Sequence, residues 1–369
     1  MPQDKAIFVP MALQATYSKR TFHFGFQART SRGSMRLKDS WFLKVWDDLH
    51  PDVFGIGEAG PLAGLSPERP FDVESQMEKL VGLIAGRQME FLGTLDKVQN
   101  LASELKLSSS VTFALETAML DLVNGGRRVI FDNEFIRGQA IPINGLVWMG
   151  GLDYMLQQVS IKIDEGFTCV KIKIGGINFE RELDILQFIR RKYYRDVITI
   201  RLDADGSFKE DEVDYKLVDL SRYDIHSIEQ PLPVGSPFTA ELCRNSPIPI
   251  ALDEELIGIQ EHTQKIALLK RLKPQFIILK PMLHGGITGV REWIAAAEKE
   301  GVGWWITSAL ESNVGLNALA QFTSEYPVKM PQGLGTGLIY NDNIPSPLEV
   351  SKGQLRFNSQ ENWDFSELD

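Results

Sequence analysis

Six polar residues, each closing a short apolar run, recur at a nearly constant interval through the middle of this 369-residue chain. Lys173, Asp203, Glu229, Asp253, Lys280 and Ser308 follow one another at steps of 30, 26, 24, 27 and 28 residues. One strand with its crossover helix and two short loops occupies about that length, roughly 30 residues. The runs are FTCVKIKI, VITIRLD, HSIEQ, IPIALDE, QFIILKP and VGWWITS, with IPINGLV before them and a last one near MPQGLGTG. Eight such strands alternating with amphipathic stretches predict a parallel β/α barrel closed on itself, with the six polar residues at its C-terminal mouth. A doubly wound open sheet would need a Gly-rich phosphate turn after an early strand, and the sequence has none. GLGTG at 333–337 is followed by no helical pattern, so it carries little weight as a nucleotide motif.

The run FTCVKIKI puts Lys171 and Lys173 on one face of a strand, because side chains two apart point the same way. If that face is interior, burial and the neighbouring ammonium both push a lysine down from its usual range, toward a value suited to a base. Taken alone, the run fits equally an edge strand with lysines in water. The evenly spaced acids that follow favour the interior.

Asp203, Glu229 and Asp253 end successive runs, and three carboxylates brought together repel unless a cation neutralises them. Capping of the following helix would account for any one of them, but not for three in register. Oxygen donors with no His or Cys among them favour Mg²⁺ over zinc. Asp205 and Glu254 stand next to the ring, where they could orient a ligand or pair with a lysine. Lys280 closes FIILK ahead of Pro281, at the mouth opposite Lys173, with a snorkelling surface lysine as the alternative. Two lysines on either side of a metal-held carboxylate suit abstraction of a proton from the α-carbon.

Ahead of the repeating part, Phe22, Phe24 and Phe26 share a face, as do Trp41, Leu43 and Val45, before VFGIGE at 53–58. The segment 28–35, ARTSRGSM, reads as a mobile turn, and 58–67 as a second loop rich in Gly and Pro. Two helical stripes follow, Met77, Leu80, Val81 and Ile84, then Val111, Leu115, Ala118, Met119 and Leu122, the latter ended by Gly125-Gly126. Strands followed by helices indicate a separate α+β module, and the tail NIPSPLEV with QLRF is expected to return to it.

Thirty-nine basic against 49 acidic residues, a net charge of −10, argue against a nucleic-acid or anionic-membrane surface. A small anionic substrate remains compatible with a locally positive pocket. MPQDKAIFVPMAL does not read as a secretory signal, and no window approaches the ~18 apolar residues of a membrane span. Cys169 and Cys243 read as reduced core residues of a cytoplasmic protein.

In that order, KIK, RLDADG, SIEQP, ALDEE and ILKP resemble the enolase superfamily, in its muconate-lactonizing subgroup. EAGPLAGLSPE and FALETAMLDL are similar to its capping domain, so the resemblance covers nearly the whole chain. It implies an α/β fold: a modified (β/α)₇β TIM-type barrel over residues 139–337 with an N-terminal α+β capping domain, 1–138, joined by the return 338–369. It also implies Mg²⁺, with Mn²⁺ as a substitute, on Asp203, Glu229 and Asp253, with Lys173 and Lys280 catalytic. Homo-oligomerisation is left open.

Subgroup features narrow the chemistry. WWITSALES has no late His base of the mandelate type, His284 reads as a loop residue, and GLGTGLIYNDN lacks the Asp-x-Asp pair of dipeptide epimerases. SALESNVGLNALA and GLGTGLIYNDNIPSP are most similar to the o-succinylbenzoate synthases. That resemblance implies syn-dehydration of 2-succinyl-6-hydroxy-2,4-cyclohexadiene-1-carboxylate in menaquinone biosynthesis. Lys173 would be the base, Lys280 the opposed cation, and Lys171 a contact to the ring carboxylate. Ser308 and Gly335 are expected at the succinyl end, and Arg32 on a loop that closes over the site. N-Acylamino acid racemisation by the same lysines is the nearest alternative. An inactive metal-binding protein and a phosphate-handling barrel enzyme are more distant ones.

Overall fold

Alternation of large apolar and polar side chains along the first sixty residues builds an antiparallel sheet. The structure, a computed structural model, describes residues 12–30, 33–194 and 196–368; Arg32 lies outside them. β1 (Leu13–Thr30), β2 (Gly33–Asp47) and β3 (His50–Ala59) pair in sequence order. Ala28, Arg29 and Thr30 pair with Met35, Ser34 and Gly33, so the segment expected to be a mobile turn is mostly the end of a long hairpin. Cross-strand pairing satisfies backbone groups there that composition alone suggested were free.

Both faces of this sheet are covered. Trp41, Leu43, Val45 and Ala59 form one core with α1 (Pro70–Ile84), α2 (Leu95–Leu105) and α3 (Ser109–Val123), through Met77, Leu80, Ile84, Val111, Leu115, Ala118, Met119 and Leu122. β3 touches α3 closely: a Cβ on Gly57 would collide with the Ala114 carbonyl. On the opposite face Phe22, Phe24, Phe42 and Ile56 pack with Trp148, Leu310 and Tyr340 from the second half of the chain.

The second half is a curled parallel sheet of seven strands: β5 (Gly145–Val147), β6 (Cys169–Lys173), β7 (Thr199–Asp203), β8 (Ser227–Glu229), β9 (Ile250–Leu252), β10 (Phe276–Leu279) and β11 (Gly303–Ile306). Crossover helices α4 (Leu152–Asp164), α5 (Phe179–Lys192), α6 (Val213–Ser221), α7 (Thr239–Asn245), α8 (His262–Leu272) and α9 (Gly286–Glu300) lie between consecutive strands, and α10 (Asn313–Thr323) follows β11. Single parallel bridges, Ile143 with Gln332 and Thr307 with Gly333, fill the eighth position. IPINGLV, expected as one strand, is divided: β4 (Ile141–Pro142) leaves for a small sheet with β12 (Leu348–Ser351) and β13 (Gln354–Phe357), and only β5 enters the barrel. Pro142 has no amide to continue a ladder, and the chain changes partners there. After β13 the tail returns to the first sheet, with Trp363, Phe365 and Leu368 packed near Phe54.

Cys169 and Cys243 are free and buried. Among the described residues no helix is long and apolar enough to cross a membrane.

Candidate active site

The evenly spaced polar residues meet at one end of the barrel because parallel pairing holds them level. Lys173 is the Cα partner of Asp203, and Asp203 that of Glu229. Asp253 and Lys280 directly follow β9 and β10, and Ser308 stands two residues past β11. Lys171, Asp203, Glu229, Asp253 and Lys280 are all 7 % exposed or less. β6 has partners on both sides, so the reading of its lysines as an exposed edge falls away.

Lysines and acids are interleaved. Lys171 Nζ lies 2.7 Å from Asp203 Oδ2 and 2.9 and 2.7 Å from the two Glu229 oxygens. Lys173 Nζ lies 2.8 Å from both Asp203 Oδ2 and Asp205 Oδ1. Lys280 donates to Asp253 Oδ2. Burial works against the charge of Lys173, but Asp203 and Asp205 outweigh it and hold the ammonium above its usual range. Lys171 and Lys280 are raised in the same way, by Asp203 and by Asp253 respectively. The expected downward shift of the lysines is therefore reversed here. FTCVKIKI alone contains only the repulsion between its lysines, whereas tertiary pairing places an acid beside each of them. Burial and the field of Asp203 push Glu229 well up, while Lys171 and Lys173 overcome burial to hold Asp203 low.

Turns after the strands supply support. His284 is buried, and its Nδ1 accepts the Lys280 amide at 3.0 Å; burial pushes the ring down to about 3, so it is a neutral brace and no base. Asp205 and Gln230, each one or two residues past a strand-end acid, hold φ of +49° and +39°, strained values for non-glycine residues. Glu254 is buried in the turn after Asp253, where its field acts on Lys280. Glu182 of α5 accepts the Gly175 amide at 2.6 Å and fixes the loop after Lys173.

Above the ring is a cavity of about 790 Å³. Lys171, Lys173 and Lys280 line it, while Phe26, Met35, Leu62, Leu65, Trp148 and Leu310 give it apolar walls. Residues from both expected cover loops, 28–35 and 58–67, reach it, as do Ser308 and Gly335. Ser308 is fully engaged within the protein: its hydroxyl donates to Glu311 and accepts from Leu310 N at 3.0 Å and Thr336 Oγ1 at 2.7 Å. Ser308 lines the cavity, and these contacts hold its hydroxyl within the protein. Thr307, whose buried Oγ1 has no partner, and Thr336 also line the cavity and were not anticipated. Thr307 pairs with Gly333 in one of the barrel's closing bridges and Thr336 stands three residues past Gly333, a place that no periodicity in the sequence marks.

Among the described residues no group of three or more His, Cys, Asp and Glu side chains is gathered as metal ligands are. Lys171 holds apart Asp203 and Glu229, and Lys280 engages one oxygen of Asp253. The donor set nonetheless fits a hard divalent cation: three buried carboxyls, with Asp253 Oδ1 lacking any hydrogen-bond partner.

Comparison with known proteins agrees with this geometry. Residues 154–361 match the family described as enolase C-terminal domain-like. The chain is 39% identical over 370 residues to the o-succinylbenzoate synthase of Desulfotalea psychrophila (strain LSv54 / DSM 12343), covering 93% of this chain and 98% of that one. The crystal structure of MenC from Desulfotalea psychrophila LSv54 superposes with a TM-score of 0.83 at 36% identity, covering 94% and 99% of the two chains. A dipeptide epimerase from Cytophaga hutchinsonii, solved with Mg and the dipeptide D-Ala-L-Val, shares the fold: TM-score 0.82, 18% identity, 97% of each chain.

Proposed function

We propose, from the premise that this chain belongs to the enolase C-terminal domain-like family and within it to the o-succinylbenzoate synthases, that it dehydrates the succinyl-hydroxycyclohexadiene carboxylate to o-succinylbenzoate. The observation that carries this reading is that Lys173 and Lys280, carried by strands four apart in the curled sheet, line one cavity beside the buried carboxyls Asp203, Glu229 and Asp253. A carbon acid beside a carboxylate is weak, and its removal needs a base on one side and positive charge on the other.

Asp203, Glu229 and Asp253 would hold Mg²⁺, for which Mn²⁺ can substitute; bound there, the ion supplies positive charge that lowers the cost of charge developing on the substrate carboxylate. Asp203, which with Asp205 keeps Lys173 protonated, would also be one of these ligands, so engaging it elsewhere would ease loss of the lysine's proton. Lys171, between Asp203 and Glu229, is poised to pair with the ring carboxylate. Neutral Lys173 removes the α-proton, leaving an enediolate. As the electron pair moves into the ring the C–O bond breaks, and Lys173 returns the proton to the departing hydroxide, so water leaves from the same face. Lys280 remains an ammonium opposite and stabilises the charge. Asp205 and Glu254 orient the two lysines, and Gly335, with its neighbours, faces the succinyl end. The cover, residues 1–138 with the return 338–369 over the barrel 139–337, excludes water from the reaction. Both cysteines are buried and unpaired, which fits a cytoplasmic enzyme.

Purified protein, Mg²⁺ and the cyclohexadiene, followed by ultraviolet absorbance, test the reading: the aromatic product should accumulate. Racemisation and deuterium exchange of N-succinylamino acids with no dehydration would overturn it in favour of a racemase.

A further inference from the structure

Lys38 is a buried ammonium that no step above uses. It lies on β2, on the face turned toward the barrel, with the side chain of Ser40 next along that face. It donates a long hydrogen bond, 3.3 Å, to Ser40 Oγ. Ser40 in turn donates to Glu58 Oε1 at 2.7 Å. Glu58, near the end of β3, crosses to the barrel: its oxygens accept Ser312 N and Gly315 N at 3.0 Å and Ser312 Oγ at 2.5 Å, at the start of α10. Just before α10 the chain is fixed again: the Ser308 hydroxyl donates to Glu311 and accepts from Thr336 Oγ1. Glu311 Oε1 is buried without a hydrogen-bond partner. Burial holds the Lys38 amine below its usual range, while the nearby Glu58 and Glu311 carboxylates favour its charged form without outweighing that burial.

Position gives this cluster a consequence for the site. Glu58 is the residue from which the cover loop 60–66 departs, and Leu62, Ala63 and Leu65 of that loop line the cavity. Gly60 N reaches Met282 Sδ at 3.2 Å, two residues beyond Lys280. Ser308 and Leu310, on the other side of the seam, line the same cavity. There is little slack: a Cβ on Gly60 would collide with Lys38 Nζ, and one on Gly315 would lie 2.7 Å from Glu311 and 3.0 Å from Glu58. Burying an amine on a serine in the field of two carboxylates adds little to stability alone, since a well-packed apolar cluster does as well.

We propose that Lys38 is a positioning residue: through Ser40 and Glu58 on the cap side and Glu311 and Ser308 on the barrel side, it sets the cover loop 60–66 over the catalytic lysines. Through Ser40 the lysine tethers Glu58, which crosses to the start of α10, and its field also reaches Glu311, which holds Ser308 on the barrel side of the cavity. The kinetic arm of this inference rests on the dehydratase reading; the loop's position does not.

Lys38→Met tests it at temperatures where the variant remains folded. Expected are a loss in kcat/KM of about tenfold or more, carried by KM more than by kcat, and hydrogen exchange of peptide 58–68 faster by about tenfold, since small misplacement of a closing segment is enough to cost this much. Lys38→Arg, which keeps the charge, should recover most of both. Unchanged KM and unchanged exchange at 58–68, with only a lower melting temperature, would overturn the proposal, because a cluster that merely stabilises would do that. Should Lys38→Met fail to fold, Ser40→Ala cuts the same tether without removing a charge and is judged by the same two readouts. A wild-type protein without dehydratase activity would sink the functional reading alone, and the exchange result would still decide the role of Lys38.

Discussion

Lys173 Nζ stands 2.8 Å from Asp203 Oδ2, across two parallel strands whose Cα atoms are directly paired. That contact, with the equally short one to Asp205, makes the lysine a cation at rest. In the proposed reaction the base and a metal ligand would share this contact, and removal of either partner should be felt at the other.

Lys173→Ala should lower kcat by at least about a thousandfold, the scale of an essential proton-transfer group, with the fold intact by circular dichroism. Ultraviolet turnover of the cyclohexadiene is the measurement. A loss below tenfold would assign the proton to another group.

Chelation with EDTA should abolish turnover, and Mg²⁺ or Mn²⁺ should restore it, because Asp203, Glu229 and Asp253 otherwise leave Lys173 and Lys280 paired and protonated. Asp253→Asn should weaken the metal dependence by about tenfold or more in the concentration needed for half activity. Full activity after exhaustive chelation would remove the metal from the reading.

Glu116 of α3 accepts the amides of Ile287 and Thr288 at 2.5 and 3.0 Å, so a cap helix closes the N-terminus of barrel helix α9. Burial pushes its carboxyl up to about 7 in spite of these amides. An acid raised on folding binds its proton more tightly in the native state, so its contribution to stability is greatest below the unfolded value near 4.5 and is lost as pH rises through about 7. Wild-type stability relative to Glu116→Gln should therefore fall by roughly 3 kcal/mol between these limits, the equivalent of the shift. Urea unfolding at several pH values measures it, and a constant difference would refute the assignment.

Gly57→Ala should destabilise by about 1–3 kcal/mol, the usual cost of overfilling a tight contact. Its added methyl group would meet the Ala114 carbonyl of α3 where β3 lies against that helix. Thermal melting tests this, with Gly64→Ala less informative because a positive φ of +76° adds backbone strain to an otherwise open position.

The regular steps from Lys173 to Ser308 disclosed the barrel because a βα unit has a nearly fixed length, and the face of FTCVKIKI because a strand has a period of two. The division of IPINGLV was hidden, since the sequence does not show that Pro142 pairs with Gln354 while Gly145 pairs with Val170. Ser308 was found by spacing, but its partners Thr336 and Glu311 were not, because they reach it only through the fold. Glu58 closes the apolar run VFGIGE, a signal of the same kind as the barrel acids, but it lies outside their repeat.

What the chain's order of residues determined by itself was local and periodic: which residues share a face, where strands end, and that the ends recur at equal intervals. Protonation of Lys171 and Lys173, the saturation of Ser308 and the link from Lys38 to Glu58 were decided only by tertiary structure. Charge interactions depend on distance through space, and segments far apart in sequence become neighbours only when strands pair and sheets pack.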